Sequence, residues 1–189
     1  ATGNTVIAGT LDVTGNITGG ASSVLYVPGS IVQVQYTQVT ATSTYTPSGT
    51  YADTAITPLA VTITPKSTSS KIMVDVCFNG EVSVAYHSGG WIKRTGGSGD
   101  ADLQAPEDGD RARFLSPMTS GHTTDADSTP DQCAIKYFDS PNTTSAVTYT
   151  LYIIASSTTN IGLNRTVGDS DSADYGRMVS YISATEIAG

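Results

Sequence analysis

The stretch 88–97 reads SGGWIKRTGG and holds the chain's only tryptophan, Trp91, between two glycine pairs and beside two of its nine cations, Lys93 and Arg94. An exposed indole stacks on the face of a sugar ring, while an ammonium and a guanidinium meet phosphate or carboxylate groups. Trp91, Lys93 and Arg94 are therefore the candidate carbohydrate- or receptor-binding set. The competing reading is structural, with Trp91 plugging the end of a β domain or a subunit interface. Two acidic groups invite a second chemistry. Asp100, Asp102, Asp108 and Asp110 cluster around glycines, and Asp169, Asp171 and Asp174 lie between Gly168 and Gly176. Loop carboxylates suit hard cations such as calcium, but position 173, where an EF-hand loop places its next ligand, is Ala. Solvated acidic loops are the plainer account of both groups.

Nothing in the chain spells an enzyme. It lacks a G-x-S-x-G elbow, an H-E-x-x-H helix and a phosphate-cradling G-x-x-x-x-G-K loop. His87 follows a strand-like run. His122 with Asp125 supplies two zinc ligands where four are needed. The carboxylate pairs Asp108/Asp110 and Asp169/Asp171 could serve a glycan-cleaving site, but nothing singles them out. No cofactor is implied.

The elements that must position these residues are strands. The 189 residues suit one domain with a short appendage. They include 29 Thr and 28 Ile plus Val, against 7 Leu, 3 Glu and 4 Lys, which starves helices and favours pleated sheet. Val32, Val34 and Tyr36 alternate with Gln33 and Gln35. Val61 and Ile63 alternate with Thr62 and Thr64. Ile72, Val74, Val76 and Phe78 share one parity, as do Val147, Tyr149, Leu151 and Ile153. Asn79-Gly80 is the strongest hairpin signal and predicts a turn leading into a strand through Val82, Val84 and Tyr86. Arg111–Leu115 reads as a short strand, and a closing strand falls within 177–187. Short strands joined by Ser/Thr/Pro/Gly turns predict an all-β antiparallel sandwich or jelly roll over 24–189. Most of 88–131 is expected to be a long acidic loop insertion: 98–131 holds eight acids against Arg111 and Arg113. Cys77 and Cys133 each fall in an apolar run and read as free thiols, with a bridge as the alternative.

Residues 1–23 differ. Gly3, Gly9 and Gly15 recur every six residues, and Val6, Leu11, Val13 and Ile17 form an apolar edge with no second layer to cover it. Three copies wound together would cover that edge, so this segment is expected to be a trimeric β-stem; a disordered Gly/Thr-rich arm is the alternative. A net charge of −8 with no basic stripe argues against nucleic acid. No apolar run approaches the roughly 20 residues of a membrane span, and 1–4 do not read as a secretory signal.

The phrases TLDVTGNITG, VTITP followed by STSSKI, YFDSPNTTSA with Tyr149, and the ending SATEIAG resemble tail-fibre-type structural proteins of tailed phages, especially phages of marine bacteria. The resemblance covers the first twenty residues and most of 31–80 and 132–189, while 88–131 has no counterpart in it. It implies a homotrimeric, non-enzymatic β component of the virion, assembled in the bacterial cytoplasm and joined to other virion proteins through its N-terminal stem. The expected role is a tail-fibre or short-fibre head that attaches to host surface polysaccharide. The alternatives are a capsid decoration or head-fibre protein without receptor binding, and a secreted lectin-like module.

Overall fold

The computed structural model describes residues 27–83, 87–118 and 128–189. The stem residues Val6, Leu11, Val13 and Ile17, and also Val84, Tyr86, His122 and Asp125, lie outside the described residues.

The described chain is all-β. Its strands are β1 (Ile31–Val39), β2 (Ser43–Tyr45), β3 (Thr54–Ile63), β4 (Lys71–Val82), β5 (Ser88–Gly96), β6 (Ala101–Leu103), β7 (Ser116–Pro117), β8 (Asp131–Asp139), β9 (Val147–Ala155), β10 (Ile161–Leu163) and β11 (Ser180–Ile187). All strands pair antiparallel, in two sheets. In the first, β4 is flanked by β8 on one side and β11 on the other, and β1 lies outside β11; β10 continues the β11 side along the end of β4, with β2 beyond it. The second runs β3-β9-β5, with β6 and β7 sharing the far edge of β5.

The predicted alternations supply the shared core. Ile72, Val74, Val76 and Phe78 of β4 and Val147, Tyr149, Leu151 and Ile153 of β9 are all buried, and they belong to one cluster that also takes Ile56, Leu59, Val61 and Ile63 from β3. β-Branched side chains suit this half-buried pleated surface. Pro58 sits in β3 where the pairing with β9 slips between Ala55 and Ala60, a place where its missing N–H costs the ladder nothing.

Three local expectations are corrected. Asn79-Gly80 makes no hairpin: β4 runs straight through it to Val82, pairing Gly80 with Leu163 and with Asp131. Gly80 is required by space instead, because a Cβ there would run into the Gly162 carbonyl oxygen and the Phe78 ring. The stretch 88–97 is not a loop, since 88–96 is the strand β5 in the body of the second sheet. Arg111–Leu115 is irregular, and the strand in that region is the two-residue β7.

The sheets are tied together by polar groups as well as grease. Arg94 donates from Nη1 to both carboxylate oxygens of Asp139 (3.0 and 2.8 Å), and the Tyr149 hydroxyl donates to Asp139 Oδ2 at 2.8 Å. Burial and the adjacent Asp139 carboxylate push the Tyr149 phenol well above its ordinary pKa. Asn164, buried at φ 58°, donates from Nδ2 to the carbonyls of Val39 and Ala41 and accepts from the Ser180 hydroxyl. Buried Glu81 accepts from the Thr129 and Val167 backbone N–H groups. Cys77 and Cys133 are free. They sit on adjacent strands, offset by one residue in register, so their side chains point to opposite faces.

Candidate functional site

Strand direction defines two poles. β1 begins at Ile31, which pairs with Ile187 at the end of β11, and the β3–β4 and β8–β9 connections lie at that same proximal pole. The ends of β1, β4 and β9 and the starts of β3, β5, β8 and β11 lie at the opposite, distal pole.

A cleft of about 570 Å³ opens at the distal pole of the second sheet, lined by Tyr51, His87, Asp110, Arg111, Ala112 and Phe114. Its wall begins in the loop before β3. Tyr51 holds φ at 58°, in the left-handed region that a bulky side chain seldom enters, and its N–H donates to the Ala155 carbonyl at 2.8 Å. The ring is left 49% exposed, so burial of the ring does not explain that conformation. His87 is exposed just before β5, and its carbonyl accepts from the Ser156 N–H. The opposite wall is the segment 110–114, anchored to β5 by bonds from Leu115 N–H to the Gly90 carbonyl (2.8 Å) and from Met118 N–H to the Ser88 carbonyl (2.9 Å). The Phe114 ring occupies the space that a side chain at Gly89 would need. Arg111 pairs with Asp108 at 3.1 Å in full solvent contact.

A second surface is the outer face of the first sheet. Register sets Phe138, Met73, Thr185 and Val34 in one row across β8, β4, β11 and β1, with Ile31, Tyr36, Cys77, Ala134 and Tyr181 in the neighbouring rows. Ile31, Val34, Tyr36, Phe138 and Tyr181 are between 41% and 75% exposed. The charged pair in the middle is self-neutralising: Lys136 meets Asp75 at 3.2 Å, and the Tyr181 hydroxyl donates to Asp75 at 3.3 Å.

The three residues singled out as a binding set do not come together. Trp91 is 1% exposed, its indole N–H donates to Asp53 at 3.0 Å, and its ring stacks on Tyr152 at 4.6 Å. Lys93 lies on the same face of β5 as Trp91 and meets Asp102 at 3.6 Å. Arg94, one residue on, points into the core toward Asp139. Of the two readings of Trp91, the structural one holds: the indole is buried and not an exposed platform, and the two cations sit on opposite faces of β5. Among the calcium candidates, Asp169 is committed to Arg165 (2.9 Å) and to Arg177, while Asp174 accepts from the Ser172 hydroxyl at 3.1 Å. Asp169 and Asp171 line a shallow polar depression with Arg177, and among the described residues no three His, Cys, Asp or Glu side chains converge as metal ligands.

Sequence reasoning missed Tyr51 and Phe114. Nothing marks a Tyr in a Thr/Ser-rich loop, and Phe114 falls in the run 111–115 that reads as a short strand. It did find the alternation of β1 but not its orientation: Val34 and Tyr36 face outward, while Gln33 turns to Glu186 at 2.6 Å.

No protein-family model matches this chain, and no curated protein matches it.

Proposed function

We propose that this chain is a phage virion structural protein: a homotrimeric tail-fibre or short-fibre head, with residues 1–23 as its stem, displayed for host-surface attachment. The observation that carries the proposal is the apolar outer face of β8-β4-β11-β1. A lone chain would leave Ile31, Val34, Tyr36 and Phe138 half-exposed or more, and covering that surface is worth about 25 cal/mol per Å² of apolar area. Copies of the same chain are the occupants that fit a face whose only central charges already neutralise one another. Three-fold closure also serves the apolar edge of the hexad stem.

The principal strands, taken as β1, β3, β4, β5, β6, β8, β9 and β11, follow the order 1-8-3-6 in one sheet and 2-7-4-5 in the other. That order supports a jelly roll, an architecture common in virus proteins. The polarity of the fold supports display, since the chain leads into β1 at one pole and the aromatic cleft opens at the other. Attachment would then work by multivalency, in which linked weak sites raise avidity about 10²–10⁴-fold over a single site.

The test has two arms: sedimentation of the full chain, and antibody labelling of purified particles. A trimer and label on the tail support the proposal. A folded monomer at all concentrations overturns it, and label confined to the shell replaces the attachment role with capsid decoration.

A further inference from the structure

None of the residues lining the distal cleft belongs to the shared core, and its chemistry is selective. Two aromatic rings, Tyr51 and Phe114, come from separate segments, with Ala112 between polar neighbours that both donate and accept: His87, Asp110 and Arg111. Aromatic faces stack on the C–H faces of sugar rings, while a carboxylate and a guanidinium bind neighbouring hydroxyls. The volume falls within the range of about 300–1,000 Å³ usual for small-molecule sites. The electrostatics decide between sugars. Arg111 is already matched by Asp108, through its carboxylate and through a bond from Nη1 to its carbonyl at 3.1 Å, and the segment 107–113 carries three acids, Glu107, Asp108 and Asp110, against two cations, Arg111 and Arg113. A uronate or sugar phosphate would meet net negative charge there.

We propose that the cleft binds a neutral saccharide, with Tyr51 as the stacking platform and Asp110 as the hydroxyl acceptor. This deepens the attachment reading and rests on it for biological meaning, but the binding event belongs to the cleft alone.

The conformation of Tyr51 supplies a clean variant. Tyr51→Gly removes the ring and relaxes a left-handed backbone, so it keeps or raises the melting temperature. Asp110→Asn, on an exposed loop, is equally safe for folding. The full chain is titrated with maltose, lactose and chitobiose, and with digalacturonate as the anionic comparison, by saturation-transfer NMR. At least one neutral disaccharide is expected to bind, with a loss of about tenfold or more in Tyr51→Gly and a weaker loss in Asp110→Asn. The proposal is overturned if none of the three neutral probes binds, if Tyr51→Gly binds as tightly as the parent, or if digalacturonate binds best. Absent binding by an intact trimer removes this inference and spares the virion reading. A saccharide-binding monomer does the reverse.

Discussion

Replacing Phe138 with Asp should separate the proposed self-association from folding. Its ring stands on the outer face of β8 opposite Met73, outside the shared core, and is 56% exposed. A phenylalanine carries roughly 200 Å² of surface, so about 110 Å² of Phe138 is free for a partner to cover. At about 25 cal/mol per Å², covering it contributes about 3 kcal/mol per copy and about 8 kcal/mol over three copies. At 1.4 kcal/mol per decade that is about six decades in a three-body dissociation constant, or about three decades in the concentration of half-assembly. A carboxylate trapped in the contact would add to the loss. Folding of the single chain should change by less than about 1 kcal/mol, because the site faces solvent there. Sedimentation velocity across a dilution series reads the assembly, and circular dichroism reads the fold. A variant that assembles at the same concentration as the parent would refute the assignment of this face.

Further outcomes follow from the interior. Arg94→Met strands the Asp139 carboxylate between the sheets and should lower stability by about 3–5 kcal/mol in urea melts; Arg94→Met with Asp139→Leu should recover part of that loss. Gly80→Ala forces a methyl toward the Gly162 carbonyl oxygen and the Phe78 ring, and should cost at least about 1–3 kcal/mol by the same assay. Burial opposes ionisation of Glu186, but hydrogen bonds from the Gln33 side chain and the Lys66 and Ser67 N–H groups outweigh it and hold the carboxyl below its ordinary value of 4.5. Between the two values the unfolded chain binds more protons, so this contribution is complete above about pH 4.5 and is lost as pH falls through the folded value; Glu186→Gln should flatten that acid limb of the stability profile. Burial pushes the Cys133 thiol up to about 11, so it should resist thiol reagents at pH 8 until the chain is unfolded.

Local alternation made β4 and β9 legible, because a two-residue period with β-branched side chains specifies both a strand and its buried side. Where two faces compete, the pattern is ambiguous. In β1 Val34 and Tyr36 mark a strand but lie on its outer side, since the inward turn of Gln33 and Thr37 is settled by partners far along the chain, Glu186 and the Ala60 carbonyl. Glycine misled twice for one reason. Turn statistics treat it as conformational freedom, but at Gly80, Gly89 and Gly90 it makes room for Phe78, for Phe114, and for Cys133 with Ile135. Tryptophan left two readings open because its chemistry is equally at home on a sugar and in a packed interior, and the position of Asp53, 38 residues earlier, decides for the interior. The cleft itself was invisible for a similar reason: β3, β4, β5 and β6 separate its walls in the chain, and no local signal links Tyr51 to Phe114.

The pairing of the opening strand with the closing one has a mechanical consequence. Hydrogen bonds of an antiparallel pair run across the strands, so tension between Ile31 and Ile187 would peel β1 from β11 one bond after another. Tension between Ile31 and the far tip would instead run along the strands and load the whole β1–β11 ladder at once. A tether gripped at its tip and pulled from its base is loaded in this second, more resistant direction.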